Sequence, residues 1–160
     1  MTPAEAFEAL AGALRGLPIG HIWRGYGSAL FLELGFVSEV PRGTRDGKTW
    51  LLGQVTLGIE WSWRIEDATA ICCGSWSDEA LWEPVFEQLL GTRIAQCTLF
   101  GALPEVALTT DTGMRLLSFS TTDGQPRWHL VDRREEGEGA DRWFSVRNGK
   151  LHLGDGSEAA

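Results

Sequence analysis

The chain has 160 residues and a mass of 17.6 kDa, and its 14 basic and 22 acidic residues give a net charge of −8. This length, with 43% hydrophobic residues, predicts a single domain over residues 1–153 and a flexible tail over residues 154–160, and excludes extensive disorder. The acidity is spread evenly without a basic cluster, so nucleic acid and anionic membranes are poor candidates as partners.

The first predicted element is an N-terminal helix. Thr2 and Glu5 have the spacing of a capping box, and Pro3 between them suits the first helical position. An apolar stripe at helical spacing follows, formed by Phe7, Leu10, Ala11, Leu14 and Leu17. Such a stripe normally packs on a sheet, so we expect this helix to be part of the core.

Two hairpins are predicted next. Ile19–Arg24 and Ser28–Leu34 flank a Gly-Tyr-Gly turn. Phe36–Val40 and Thr49–Leu52 flank an Asp-Gly pair that is typical of a type I′ turn.

The longest predicted strand covers residues 54–66. It alternates strictly, with Ile59, Trp61, Trp63 and Ile65 on one face. The other face carries Glu60, Ser62, Arg64 and Glu66. We expect the first face to pack inward and the second to be polar or solvated.

A second helix is predicted between Asp78 and Leu90, with Leu81, Val85, Phe86 and Leu89 facing inward. Pro84 leaves two alternatives. Either the helix begins near Glu83 with the proline in its first position, or a separate first turn precedes it and the axis bends.

The second half of the chain returns to short strands separated by Thr-Gly, Asp-Gly and Asn-Gly turns. The predicted strands are Arg93–Phe100, Glu105–Leu108, Met114–Ser120, Arg127–Val131, Trp143–Arg147 and Leu151–Leu153. Close spacing with such turns is typical of antiparallel hairpins. The predicted fold class is therefore α+β: a predominantly antiparallel sheet arrangement, strongly curled or forming a partial barrel, with one N-terminal and one mid-chain helix.

Charged residues inside otherwise apolar strands are the first candidate site. They are Arg24, Glu33, Glu60, Arg64 and Glu66. If their strands pair, the carboxylates and guanidinium groups share a face, where Glu33 and Glu60 could act as an acid–base pair beside an arginine anion clamp. The alternative is a solvated face with ordinary cross-strand ion pairs.

The eight tryptophans are a second source of candidates. Trp61 and Trp63 are predicted to be core residues because they share an apolar alternating face. Trp50 and Trp82 are predicted to be exposed, where they could contact a ligand or a partner.

No pattern for a metal, a cofactor or a catalytic nucleophile is found. The three histidines lack the spacing of a zinc site, and there is no P-loop or dinucleotide fingerprint. Cys97 and His129 could form a nucleophile pair only if the fold brings them together. An odd number of cysteines and the absence of a secretory signal pattern favour reduced thiols and a cytoplasmic location.

In size, acidity and lack of a catalytic signature the chain is similar in composition to small bacterial immunity or adaptor domains. The main hypothesis is accordingly a non-catalytic domain that binds a protein partner. The alternatives are a small-ligand pocket gated by tryptophan and, third, a hydrolase that uses Glu33 and Glu60.

Overall fold

The computed structural model describes residues 1–137 and 139–156, which contain helix α1 (Pro3–Leu14), helix α2 (Trp82–Leu89) and a 3-10 turn, Glu79–Leu81, directly before α2. The strands of this region, in chain order, are β1 (Ile19–Arg24), β2 (Leu30–Leu34), β3 (Ser38–Pro41), β4 (Thr49–Leu52), β5 (Val55–Ile59), β6 (Trp63–Glu66), β7 (Ile71–Gly74), β8 (Ile94–Phe100), β9 (Glu105–Thr110), β10 (Arg115–Ser118), β11 (Trp128–Asp132), β12 (Arg142–Arg147) and β13 (Lys150–Gly154).

The strands form a six-stranded sheet, a five-stranded sheet and a separate hairpin. The strand order is β1-β2-β5-β11-β12-β13 in the first and β7-β6-β10-β9-β8 in the second, while β3 pairs with β4. Every pairing is antiparallel. The predicted α+β class with antiparallel sheets is confirmed, and within the described residues neither large sheet closes into a barrel.

Helix α1 begins as its sequence predicts. The Thr2 hydroxyl accepts a hydrogen bond from the Glu5 N–H, and the Glu5 carboxylate accepts one from the Thr2 N–H. Its apolar stripe packs against strands of both large sheets, β8 and β13. Phe7 meets the rings of Trp128 and Phe144 edge-on, at centroid distances of 6.5 and 5.9 Å. This helix therefore links the two sheets around one hydrophobic core.

Alternation along the six-stranded sheet separates a core face from an outer face. Leu30, Leu32 and Leu34 of β2 are buried in the core. Phe31 and Glu33 lie between them and so point to the opposite side. The candidate site is on that opposite side, which we call the outer face.

The single strand predicted over residues 54–66 is wrong. β5 belongs to the six-stranded sheet and β6 to the five-stranded sheet, and the chain crosses between them at Glu60–Ser62. Trp61 adopts a positive φ of 78° at this corner, so its side chain leaves the alternation and is 39% exposed. Trp63 is buried as predicted, but the core position expected for Trp61 is wrong.

The second helix follows the alternative with a separate first turn. Asp78 caps the 3-10 turn by accepting the N–H of Ala80, and α2 then starts at Trp82, which places Pro84 in its first turn. The change of helical geometry turns Leu81 outward, to 48% exposed, and Trp82 inward. Both expectations, an inward Leu81 and an exposed Trp82, are therefore wrong.

The first residues of the segment predicted as a tail, residues 154–156, belong to the sheet or lie against it. Gly154 is the last residue of β13, and Gly156 lies against the ring of Trp143. The rest of the predicted tail, residues 157–160, lies outside the described residues. Among the described residues, neither helix has the length and apolar character needed to cross a membrane.

Candidate functional site

A row of aromatic rings crosses the outer face. Trp23 stacks on Phe31 at a centroid distance of 4.0 Å and contacts Trp50 of the β3–β4 hairpin at 5.4 Å. Further along the sheet, His129 lies 6.0 Å from Phe31 and stacks on Trp143 at 5.4 Å. The row thus runs from the hairpin across β1, β2 and β11 to β12, and it gives the outer face an apolar surface where a solvated one is usual.

Gly58 makes room for the centre of this row. It pairs with Phe31 on one side and with His129 on the other. A Cβ atom on Gly58 would lie 2.3 Å from Cε1 of His129 and 3.0 Å from Cε1 of Phe31. Both rings therefore lean over the glycine, and burial lowers the pKa of His129 to about 4, with a smaller contribution from the positive charge of Arg133.

The carboxylate of Glu33 organises the other part of the outer face. It is fully buried and accepts hydrogen bonds from Trp23 Nε1 at 2.8 Å, from the Gly53 N–H at 3.0 Å and from the Thr56 hydroxyl. Arg133 donates to the Thr56 hydroxyl at 2.6 Å and places its charge 3.9 Å from Glu33. This network ties the end of the hairpin, the sheet and the loop after β11 together.

Beside the ring row is a part-open cavity of about 590 Å³, which we call the outer cleft. Its lining includes rings, a hydroxyl and charged groups: Phe31, Glu60, Arg127, Trp128, His129, Trp143, Ser145, Val146, Arg147, His152, Gly154 and Gly156. A smaller depression of about 280 Å³ adjoins it, sharing Phe31 and Glu60 and adding Tyr26 and Trp61. The volume of the outer cleft lies within the range of about 300–1,000 Å³ that is common for small-ligand sites.

The residues predicted from sequence are distributed over three places. Glu33 and Trp50 lie in the outer-face network and ring row, and Glu60 lines the outer cleft. Arg24 pairs with Glu79 at 3.1 Å, and its guanidinium lies over the ring of Trp82 at 4.4 Å. Trp82 itself is only 2% exposed, packed against Trp63, so it is a core residue and not a contact for a partner.

Arg64 and Glu66 are both on β6, in the five-stranded sheet. They pair with each other at 3.1 Å, and Glu66 also pairs with Arg115 across the strands at 3.4 Å. This is the solvated cross-strand arrangement that was the alternative to a polar cleft. Glu33 is thus on β2 of the six-stranded sheet and Glu60 directly follows β5 of the same sheet, whereas Arg64 and Glu66 belong to the other sheet.

The residues that could supply nucleophilic or metal chemistry are not assembled. Cys97 is buried on β8 of the five-stranded sheet, where burial raises its pKa to about 12, whereas His129 is on the outer face of the other sheet. Across residues 1–137 and 139–156 no three His, Cys, Asp or Glu side chains are grouped closely enough to hold a metal ion.

A second surface feature lies on the five-stranded sheet. Trp76 is 83% exposed, and Phe119 and Ile71 are exposed beside it around a groove of about 360 Å³. We call these three residues the Trp76 patch. Ile71 is on β7, which is an edge strand of its sheet.

Sequence reasoning missed Arg127 and Ser145 of the outer cleft and Arg133 of the Glu33 network. They lie on or beside β11 and β12, about a hundred residues after β2 in the chain, and only strand order brings them close to Phe31 and Glu33. A partial signal is nevertheless present in the alternation of β2, where Phe31 and Glu33 occupy one face. A large ring and a carboxylate side by side on a face assumed to be solvated indicate that this face is not simply exposed to water.

Comparison with models of protein families, with curated proteins and with solved structures found no match for this chain.

Proposed function

We propose that this protein is a non-catalytic binding domain and that the outer cleft holds a small ligand. The observation that carries the proposal is the cleft itself: about 590 Å³, walled by rings on a sheet face, with a few polar groups at its border. Concave apolar walls with few polar groups are typical of small-ligand sites. The three cysteines, none of them in a disulfide, support a cytoplasmic location.

The walls of the cleft are held in place before any ligand arrives. The rings of Phe31, His129 and Trp143 support one another, and the Glu33 network fixes Trp23 and the loop that carries Arg133. A site that is already ordered loses little conformational freedom on binding, which favours affinity.

The position of Glu33 favours binding over hydrolysis. Its carboxylate is fully buried and its oxygens accept three hydrogen bonds, so it is not available to a substrate. Glu33 is also far from Glu60. It lies opposite Thr56 on β5, Ile59 is about 10 Å from Thr56 along that strand, and Glu60 follows Ile59. Paired catalytic carboxylates of glycosidases, by comparison, are about 5–9.5 Å apart across the substrate.

A fragment screen followed by two-dimensional NMR tests the proposal. We expect the fragments that bind to shift the signals of Trp143, Ser145 and His129. Ser145→Leu, which fills the cleft, should abolish these shifts, and Gln96→Leu on the exposed edge of the other sheet should not. Fragments that scatter over the surface, or shifts that survive Ser145→Leu, would refute the proposal.

The Trp76 patch favours a second candidate, association with a protein partner that is a second copy of this chain. Within residues 1–137 and 139–156 no strand pairs with the outer edge of β7. Such an edge beside exposed apolar side chains is self-complementary, because the same edge on another copy offers the same groups. Sedimentation velocity over a wide concentration range should then show a dimer that Trp76→Ser weakens. A monomer at every concentration would rule this candidate out.

A further inference from the structure

Two residues of opposite charge line the border of the outer cleft. Glu60 and Arg127 both line it, and their backbones are joined because the Glu60 N–H donates to the Arg127 carbonyl at 2.8 Å. Neither side chain forms an ion pair or a hydrogen bond with the described part of the chain. The third charged side chain of the lining, Arg147, already has an interaction partner of its own. Arg24, Arg64 and Arg115, which lie elsewhere, are also paired.

The backbone that carries Glu60 is held in an unusual conformation. Trp61 has a φ of 78°, and the Ser62 N–H donates to the Glu60 carbonyl at 3.1 Å, which is the pattern of a γ-turn with a positive central φ. Such a turn is unfavourable for a bulky residue and persists only where the surroundings hold it. Here the Ser28 hydroxyl donates to the Trp61 carbonyl at 2.6 Å. The backbone position of Glu60 at the border of the outer cleft is therefore fixed by the fold.

We propose that the ligand of the outer cleft is a zwitterionic α-amino acid with an apolar side chain. This inference rests on the proposed function. Arg127 would receive the carboxylate, Glu60 the ammonium group, and the rings of Phe31 and Trp143 the side chain. The volume of about 590 Å³ leaves room for an aromatic side chain.

The two charges favour a zwitterion over three related classes of ligand: carboxylates, amines and neutral aromatic molecules. A ligand with only a carboxylate meets the attraction of Arg127 but the repulsion of Glu60, and a ligand with only an amine meets the reverse. A neutral aromatic molecule uses the rings alone and leaves both charges unpaired. Only a zwitterion pairs with both charges and also contacts the apolar wall. Both charged side chains are exposed in the free protein, so removing part of their hydration on binding costs little free energy.

Calorimetric titration with three matched probes tests the inference. L-Phenylalanine carries both charges, 3-phenylpropionate lacks the ammonium group and phenethylamine lacks the carboxylate. We expect L-phenylalanine to bind about tenfold more tightly than either analogue, as one charge-assisted contact is typically worth.

Two variants test which residue binds the ammonium group of the ligand and which binds its carboxylate. Glu60→Gln should weaken L-phenylalanine about tenfold without weakening 3-phenylpropionate, and Arg127→Gln should weaken it similarly without weakening phenethylamine. Glu87→Gln and Arg15→Gln, exposed residues on or beside the helices, are matched controls that should bind like the unchanged protein. Thermal unfolding of all four variants checks that the fold is retained.

The outcomes separate this inference from the proposed function. If the three probes bind with equal affinity, or if Glu60→Gln changes the affinity of all three equally, the inference of a zwitterionic ligand is wrong. The proposal that the cleft binds a small ligand is then still supported by the fragments that bind there. Absence of any binding in the cleft, by probes and by fragments alike, overturns both.

Discussion

Acid should destabilise this protein through His129, because the folded state holds that ring in its neutral form. The ring is stacked on Trp143, leans over Gly58 and faces Phe31. Burial lowers its pKa to about 4, and the nearby positive charge of Arg133 acts in the same direction. A proton on His129 is therefore much less stable in the folded protein than in the unfolded chain.

The size of the effect follows from the two pKa values. The unfolded histidine titrates near 6.5 and the folded one at about 4, so between these values the unfolded chain binds a proton that the folded protein does not. Stability from this residue is complete above pH 6.5 and falls as the pH is lowered towards 4. At pH 4 the loss amounts to about 3 kcal/mol of unfolding free energy.

Urea unfolding followed by tryptophan fluorescence measures this loss. The free energy of unfolding at pH 7 and at pH 4 should be compared between the unchanged protein and His129→Phe, which keeps a ring in the row but cannot titrate. Carboxylates titrate in both proteins, so the difference between the two pH dependences isolates His129. We expect it to be about 3 kcal/mol. Equal pH dependences, or an NMR titration midpoint of His129 near 6.5, would refute the reasoning.

Three further variants and one control variant test the packing. Glu33→Gln puts an amide NH₂ among hydrogen-bond donors and should lower the unfolding free energy, measured in urea, by about 1–3 kcal/mol; no loss would mean that the network is not formed. Gly58→Ala should cost about 1–3 kcal/mol because its Cβ collides with His129, whereas Gly12→Ala, in an open helical position, should gain about 0.5–1 kcal/mol in the same assay. Trp82→Phe removes a buried N–H donor and ring atoms and should lower the melting temperature, with a cost of about 1–3 kcal/mol; an unchanged melting temperature would contradict its core position.

The hairpins were predictable because their signals are local. β1 and β2 pair across the Gly-Tyr-Gly turn, and β12 and β13 pair across Asn148-Gly149, where both residues have a positive φ. Asn and Gly are the residues that adopt this conformation at low cost. The Asp46-Gly47 turn is less regular: residues 42–48 form the loop, and only Gly43 and Gly47 within it have a positive φ, so the type I′ turn expected there is wrong.

The break at Trp61 could not be predicted in the same way. Ile59, Trp61, Trp63 and Ile65 continue the alternation without interruption, and no glycine or proline marks the corner. The chain changes sheet because two distant residues hold the corner: the Ser28 hydroxyl donates to the Trp61 carbonyl, and the Arg127 carbonyl accepts the Glu60 N–H. Sequence pattern describes the two strands on either side, but membership of a sheet depends on partners elsewhere in the chain.

Helix α2 shows how one residue can reverse an assignment. Helical spacing predicts an inward Leu81, since it assumes continuous α geometry from Asp78 onward. Pro84 lacks an N–H and is tolerated in a first turn, so the α-helix starts at Trp82 and the preceding residues form a 3-10 turn. The two geometries differ in residues per turn, and this difference is enough to exchange Leu81 and Trp82 between surface and core.

The outer face joins stability and ligand binding in one set of residues. His129 and Phe31 belong both to the ring row that supports the sheet and to the lining of the outer cleft. A ligand that binds only the folded protein stabilises it, by about 2.7 kcal/mol at a concentration one hundred times its Kd. That gain is close to the loss of about 3 kcal/mol that acid causes through His129. A ligand present at one hundred times its Kd at pH 4 should therefore restore most of the stability that protonation of the unfolded chain removes at that pH.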